Sequence, residues 1–305
     1  MYRVLKDYFR LFLYNVFIFL FTITPHFMME RILRALAFLA YRFNKKHLSI
    51  ARANLDLVYG DSLSDERKNE IIYNSYKSLV FNMYELVENQ NISREEIFKK
   101  ATITDEHYIQ KALADNRKII YITAHYGGWE ITLPYIALKF GDIAVVNRRM
   151  DNPHIQKKYA YARSKNSITM LEKESAAKGM IKAFKDNKKI AVVIDQHIGS
   201  GIEVEFLNQK DLATDSVARL ALKFDAIIIP IFTQNRGYRS WDIKIYEPLD
   251  VRNIEFKTDN HIAELTQMQN DLVSQVIFEK PDFWLWQHKR FKEFHNDIYK
   301  KPTSR

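Results

Sequence analysis

Residues 118–130 read KIIYITAHYGGWE, and this stretch decides the fold class. The apolar, β-rich run from Ile119 to Thr123 predicts a buried strand. His125 follows that strand, two adjacent glycines permit a tight turn, and a helical pattern begins at Trp129. A strand that leads through a short turn into a helix is the building unit of an α/β sheet.

The alternation of strand-like and helix-like segments continues along the chain, and residues 48–92 and 94–100 read as helical before it. Further strands are predicted at 142–147, 168–171, 189–195, 203–207, 226–234 and 241–246, and further helices at 154–165, 174–186, 215–224 and 260–279. We therefore expect an α/β fold with a central, largely parallel sheet flanked by helices. Ligands of such sheets bind at the carboxyl ends of strands, which are followed here by the loops after Ala124, Asn147 and Asp195.

The composition limits the chemistry. The chain has 305 residues, of which 47% are hydrophobic, enough for one main core. It contains no cysteine, which excludes disulfides, cysteine metal ligands and a cysteine nucleophile. No H-E-x-x-H motif occurs, so we expect no metal site.

The net charge of +9 is concentrated at the two ends of the chain. Residues 1–60 hold nine Lys or Arg against three Asp or Glu, and residues 280–305 hold seven against three. A nucleic-acid-binding surface more often spreads its charge along the fold. Two basic ends beside an apolar N-terminus fit an anionic membrane surface better.

The N-terminal segment predicts a membrane anchor. Residues 11–29 lack Asp, Glu, Lys and Arg. As a helix they would extend about 28 Å, slightly short of a hydrocarbon core of about 30 Å. Basic residues flank both sides, which favours a helix that lies in one leaflet, although a span remains open. A cleaved signal peptide and a buried core helix are the alternatives.

His125 and Glu130 form a His-x₄-Glu pair at the predicted turn. The same spacing occurs at His288 and Glu293, but only the first pair lies where a strand ends and a helix begins. A neutral imidazole can take a proton from a hydroxyl, while a carboxylate on its other nitrogen orients the ring. We expect Glu130 to be that carboxylate and backbone N–H groups of the turn to help hold an oxyanion. A histidine with a purely structural role is the alternative.

At this point the chain resembles the late acyltransferases of lipid A biosynthesis, the lauroyl/myristoyl type, within the lysophospholipid and glycerolipid acyltransferase superfamily. Their signature is a His-x₄-Glu turn at a strand end. Other blocks follow in the same order over nearly the whole chain: Asp151-Asn152-Pro153, Arg163 to Ser167, Lys178 to Ile181, Asp195-Gln196, Val204 to Phe206, Ala213-Thr214 and Trp286 to Lys292. The N-terminal apolar segment matches as well.

The resemblance implies an enzyme of lipopolysaccharide biosynthesis at the cytoplasmic face of a bacterial inner membrane. Residues 1–45 would be the membrane anchor with an amphipathic helix, and residues 46–305 the acyltransferase domain. The donor would be acyl–acyl carrier protein, a thioester that needs no cofactor. The acceptor would be the free 3-hydroxyl of an acyl chain on a Kdo-lipid A precursor, an anionic glycolipid.

His125 and Glu130 are the expected catalytic residues. A second set of polar residues is expected to contact the anionic substrate or donor: Arg148, Arg149, Asn152, Arg163, Asp195, Thr214, His288 and Arg290. Two other functions stay open from the residues alone. One is a glycerolipid or phosphatidylinositol-mannoside acyltransferase that uses acyl-CoA. The other is a non-catalytic basic protein that binds membranes or nucleic acid.

Overall fold

The computed structural model describes residues 2–147, 151–172 and 175–300, and the fold is α/β as predicted. The helices are α1 Tyr2–Ile23, α2 His26–Phe43, α3 Lys45–Tyr59, α4 Asp65–Glu88, α5 Arg94–Lys99, α6 His107–Ala114, α7 Trp129–Phe140, α8 Pro153–Lys165, α9 Ala176–Lys185, α10 Ser216–Phe224 and α11 His261–Glu279. The strands are β1 Ala101–Thr104, β2 Ile119–Thr123, β3 Ile143–Asn147, β4 Ile168–Glu172, β5 Lys189–Val193, β6 Ile202–Phe206, β7 Gln209–Ala213, β8 Ile227–Gly237, β9 Ser240–Ile245 and β10 Leu249–Asp250.

The main sheet has the strand order β1-β9-β8-β2-β5-β3-β4, with β10 paired to β8. The five strands from β8 to β4 in this order run parallel, which confirms the predicted largely parallel sheet. Antiparallel pairing occurs where β8 meets β9 and β10. Strands β6 and β7 form a separate hairpin.

Helices cover both faces of the sheet. All five residues of β2 are buried, as expected of a central parallel strand. Ile120 and Ile122 belong to the core that includes Val217 of α10 and Leu265 of α11. Ile119 and Tyr121 alternate with them and pack in the opposite core, where α7 and α4 lie. The end of β2 is therefore rigidly held from both sides.

The structure differs from the predicted elements in two ways. The continuous helix expected over 48–92 is two helices, α3 and α4, separated by a short 3₁₀ turn that starts at Gly60. Strands β1, β7 and β10 and helix α6 were not predicted. β7 is polar, and its hairpin turn uses Leu207 and Asn208 at φ 50° and 59°, without the glycine that usually marks such turns.

The apolar N-terminus forms two helices that meet at Thr24 and Pro25. Helix α1 packs along α8, where Asn152 Nδ2 donates to the carbonyl oxygen of Asp7 at 2.8 Å. Within the described residues, no helix has the length and apolar character needed to cross a bilayer. Both helices nevertheless expose many large apolar side chains, among them Phe9, Phe12, Phe19, Leu20, Phe27, Met28 and Leu36.

Candidate active site

The pairing of β2 with β5 brings His125 beside Asp195. Thr123 of β2 and Val193 of β5 are partners in the parallel register, and His125 and Asp195 each follow two residues later. His125 and Asp195 thus occupy equivalent positions beyond the carboxyl ends of neighbouring strands. This is the edge of the sheet where the sequence predicted the site.

Asp195 binds the ring of His125. Its Oδ1 accepts a hydrogen bond from His125 Nδ1 at 2.8 Å, and its Oδ2 accepts from the backbone N–H of His125 at 2.9 Å. The indole Nε1–H of Trp284 donates to the same Oδ2 at 2.8 Å. A carboxylate acceptor at Nδ1 places the ring hydrogen there and leaves Nε2 as the basic nitrogen. The His125 side chain keeps 19% of its surface exposed, against 2% for Asp195.

The contact between His125 and Asp195 shifts the pKa values of both residues. Burial alone would lower the pKa of His125, but the charge and hydrogen bond of Asp195, together with the charge of Glu130, raise it above its ordinary value. Burial alone would raise the pKa of Asp195, but His125 and the hydrogen bonds from His125 and Trp284 lower it to about 2. Asp195 is therefore ionised at neutral pH and stabilises a protonated His125.

Glu130 does not contact the imidazole, which corrects the prediction made from the His-x₄-Glu spacing. Its carboxylate pairs with the guanidinium of Arg163, and both side chains are buried. Arg163 also donates from Nε to the hydroxyl oxygen of Tyr159 at 3.0 Å. The backbone N–H of Glu130 donates to Asn82 Oδ1 at 2.9 Å, which fixes the start of α7 against α4. Glu130 thus acts on His125 through its charge.

Most backbone N–H groups of the turn donate to protein acceptors. Five of the six N–H groups from His125 to Glu130 donate to Asp195, Ala124, Phe283, Thr233 and Asn82. The carbonyl of His125 accepts in turn from Leu285 N at 3.0 Å. A segment 160 residues further along the chain is therefore hydrogen-bonded to the turn. These bonds hold the turn rigid, and the five N–H groups that make them are not free to bind an oxyanion as the sequence predicted.

The two glycines of the turn are required by close packing. Gly127 has φ +57°, and a Cβ atom there would lie 1.6 Å from the carbonyl oxygen of Thr233. A Cβ atom on Gly128 would lie 2.6 Å from the ring of Trp241. Only glycine fits either position. The ring of His125 meanwhile packs edge-on against Trp129, with centroids 5.2 Å apart.

Gln196 and His197, which directly follow Asp195, are held at their backbone. Gln196 O accepts from Arg290 Nη1 at 2.6 Å, and His197 N donates to His288 Nε2 at 3.0 Å. Arg290 is fully buried and pairs with the equally buried Asp211 at 3.0 Å. The Gln196 side chain, by contrast, is exposed, and its amide Nε2 lies 3.2 Å from His125 Nε2. This amide is a donor at the basic nitrogen of the pair.

Comparison with known proteins agrees with this geometry. The family model described as bacterial lipid A biosynthesis acyltransferase matches residues 2–293. The chain belongs to this family. Its members are enzymes that transfer acyl groups, so this protein is an acyltransferase.

Three relatives illustrate the range of the match. A lipid A biosynthesis acyltransferase of Haemophilus influenzae is 24% identical over 256 residues, which cover 82% of this chain and 79% of the relative. A lipid A biosynthesis lauroyltransferase of Escherichia coli K12 is 25% identical over 272 residues, 88% and 86% of the two chains. A phosphatidylinositol mannoside acyltransferase of Mycolicibacterium smegmatis is 19% identical over 187 residues, 60% and 59%.

Several residues predicted to bind substrate in the acyltransferase have protein partners instead. Arg290 is too deeply buried to meet a ligand, and His288 Nε2 is occupied by the backbone of His197. Asn152 begins α8, where its Oδ1 accepts from His154 N at 3.0 Å and Ile155 N at 3.1 Å. Thr214 accepts from Ser216 N at 3.3 Å at the start of α10. Arg148 and Arg149 lie outside the described residues.

The roles of two groups in the site were not predicted from the sequence. Asp195 was expected to bind substrate, whereas it is the partner of the imidazole. Gln196 was named only as part of the Asp195-Gln196 block and was given no role, although it directly follows Asp195 after a strong strand. The signal that identifies both is positional, because β5 is the neighbour of β2 and residues after their ends must meet.

Proposed function

We propose that this lipid A acyltransferase transfers a fatty acyl chain from acyl–acyl carrier protein to the 3-hydroxyl of an acyl chain on a Kdo-lipid A precursor. His125 is the general base in this proposal. The observation that supports it is the bond between His125 Nδ1 and Asp195, because it leaves Nε2 as a base beside a partly exposed surface.

The chemistry follows from that arrangement. Nε2 removes the proton of the acceptor hydroxyl as its oxygen attacks the thioester carbonyl carbon. Asp195 stabilises the imidazolium that forms and remains ionised itself, since its pKa is about 2. The tetrahedral intermediate then expels the carrier thiolate, which receives the proton from His125. A thiolate leaves readily, so the proposed reaction requires no metal or other cofactor.

Glu130 contributes to the proposed catalysis without touching the ring. Its charge favours the protonated form of His125. Its pairing with Arg163 joins α7, which begins next to the turn, to α8. We propose that Glu130 is a positioning residue that fixes the turn between these helices.

The donor is proposed to be a carrier protein because the relatives of greatest coverage bear lipid A names and because acyl carrier protein is acidic, which suits a basic chain. The relative named phosphatidylinositol mannoside acyltransferase keeps an acyl-CoA-dependent glycolipid acyltransferase as the alternative. Rates measured with the two donors at equal acyl length separate them. A preference for acyl-CoA would select the alternative.

We propose that α1 and α2 bind the cytoplasmic face of the inner membrane by lying in one leaflet. They expose large apolar side chains next to the basic residues Lys6, Arg10, Arg31 and Arg42. Helix α1 is also joined to α8, which carries Arg163. Membrane contact would therefore bring a lipid acceptor to the side of the protein where the site lies.

Two experiments test the proposed function. Mass spectrometry of lipid A from cells that lack the protein should show a deficit of one acyl group, restored by the wild-type chain. Purified enzyme should consume acyl–acyl carrier protein only when the acceptor is present. His125→Asn should abolish this turnover, whereas His107→Asn, a change at an exposed position on α6, should not. Unaltered turnover in His125→Asn would refute the assignment of the base.

A further inference from the structure

The side chain of Gln196 is the exposed part of a segment whose backbone is fixed. Its neighbour Asp195 is bound by His125 and Trp284, its own carbonyl is bound by Arg290, and the next backbone N–H is bound by His288. The side chain itself is exposed, and among the residues that the structure describes it hydrogen-bonds to His125 Nε2. Its amide therefore lies within reach of the basic nitrogen, and rotation about the torsions of an exposed side chain can move it.

The reaction proposed above needs a hydrogen-bond donor for the thioester carbonyl oxygen, in addition to a base for the hydroxyl proton. When the hydroxyl attacks the thioester, negative charge develops on the carbonyl oxygen, and donors aimed at that oxygen lower the barrier. The turn that carries His125 contributes little, because five of its six N–H groups already have protein acceptors. A side-chain donor close to Nε2 can supply this hydrogen bond in their place.

We propose that Gln196 is a catalytic residue whose amide donates to His125 Nε2 in the free enzyme and to the thioester carbonyl oxygen during transfer. The inference rests on the proposed function. The acceptor hydroxyl must displace the amide in order to reach Nε2. The displaced amide then lies beside the hydroxyl, where the thioester carbonyl must also lie for the attack to occur. One binding event thus frees the base and makes a donor available.

The step balances without any further reactant. The hydroxyl oxygen forms a bond to the carbonyl carbon as its proton passes to Nε2. The carbonyl π electrons move to the oxygen, which accepts a hydrogen bond from the Gln196 N–H. When the electron pair returns, the carbon–sulfur bond breaks, and the thiolate takes the proton from His125. Ester and thiol are the products, and both side chains regain their starting states.

Substitutions of Gln196 separate a catalytic donor from a structural one. Gln196→Ala removes the donor and should lower kcat by about 10²–10³-fold, as removal of an oxyanion donor does elsewhere. Gln196→Glu keeps the shape but replaces the donor with a negative acceptor, and it should lower kcat at least as much. Gln275→Ala, at an exposed position on α11, is the matched control and should retain wild-type kcat.

A titration that needs no substrate provides the second readout. The amide that donates to Nε2 favours the neutral ring, so Gln196→Ala should raise the pKa of His125 in the free enzyme. The other charged or titratable groups that act on the ring are Asp195, Glu130 and His288, and all three stay in place. NMR of histidine-labelled protein, with the His125 signal identified from His125→Asn, measures this pKa.

The outcomes are distinguishable. Loss of kcat together with a raised His125 pKa supports the proposal. A wild-type kcat in Gln196→Ala overturns it while leaving the proposed function intact, and so does a kcat loss without any pKa change. A wild-type enzyme that transfers no acyl group from any thioester donor instead refutes the proposed function, on which the role of Gln196 depends.

Discussion

Asp195 binds His125 at two points, with Oδ1 on the ring Nδ1 and Oδ2 on the backbone N–H of the same residue. The double contact fixes both the tautomer of the imidazole and its place on the chain. Trp284 donates to Oδ2 as well, so the carboxylate has three protein donors and one orientation. The imidazole that we propose as the general base is therefore aligned before any substrate arrives.

Asp195→Asn should lower kcat/KM by about 10²–10⁴-fold, because the amide cannot stabilise the imidazolium as a carboxylate does. Asp195 raises the pKa of His125, so its neutralisation should move the acidic limb of the kcat/KM profile to lower pH. Rates between pH 5 and 8 measure both effects. Asp186→Asn, at a surface site paired with Lys182, should change neither. An acidic limb that stays in place would argue against this pairing.

Glu130→Gln should cost stability as well as activity. The substitution leaves the charge of Arg163 buried without its partner, which typically lowers the free energy of unfolding by about 3–5 kcal/mol. Adding Arg163→Met should restore much of that loss, since no unpaired charge remains. Urea unfolding of the single and double variants measures the coupling. Purely additive losses would show that the pair does not act as a unit.

His288 should make the protein less stable in acid. Burial lowers its pKa to about 4. Between pH 6.5 and 4 the unfolded chain therefore binds a proton that the folded chain does not, and the free energy of unfolding falls by about 3 kcal/mol at most. His125 opposes this trend, so the comparison must be with His288→Gln. The stability difference between wild type and this variant should shrink or reverse as the pH falls, and a constant difference would contradict the burial effect.

Gly127→Ala should disrupt the turn. The new methyl group would overlap the carbonyl oxygen of Thr233, and φ +57° is strained for alanine. We expect a loss of about 3 kcal/mol or more in the free energy of unfolding. Gly199→Ala is the matched control, because a Cβ atom there meets open space. Thermal and urea unfolding compare the two, and equal stabilities would show that the turn relaxes.

Introducing negatively charged residues on α1 should weaken membrane binding. Phe12→Asp combined with Phe19→Asp places carboxylates on an exposed apolar surface. Cosedimentation with vesicles that contain anionic lipid should show a lower bound fraction than for wild type. Phe294→Asp, an equally simple change at an exposed phenylalanine outside α1 and α2, should bind as wild type does. Identical binding by all three proteins would remove the proposed role of these helices.

Most of the sheet was predictable because its central strands are short runs of Ile and Val between polar turns. Strands such as β2 and β5 carry that signal in full. β7 does not, because its residues are polar and it is held by its hairpin partner β6. The division between α3 and α4 was also missed, since the apolar spacing on either side of Gly60 is helical.

The site was only partly predictable for a different reason. His125 is identified by the turn that carries it, but its partner depends on which strands are neighbours. The order β2-β5-β3 places the strand of Asp195 between two strands that follow each other in the sequence. Glu130 is close to His125 in sequence, yet it lies in the first turn of α7 with its carboxylate toward α8. Sequence proximity therefore suggested the wrong carboxylate.

The hydrogen bonds that join Phe283 and Leu285 to the turn at His125, and Trp284 to Asp195, have a consequence for biogenesis. A ribosome that makes this chain releases β2 and His125 long before those residues emerge. The parallel sheet can begin to form, but the carboxylate of Asp195 lacks its indole donor, and the turn lacks the partner for Gly127. Nascent or C-terminally clipped chains should therefore be inert toward thioesters, so that competence arises only once synthesis has passed these residues.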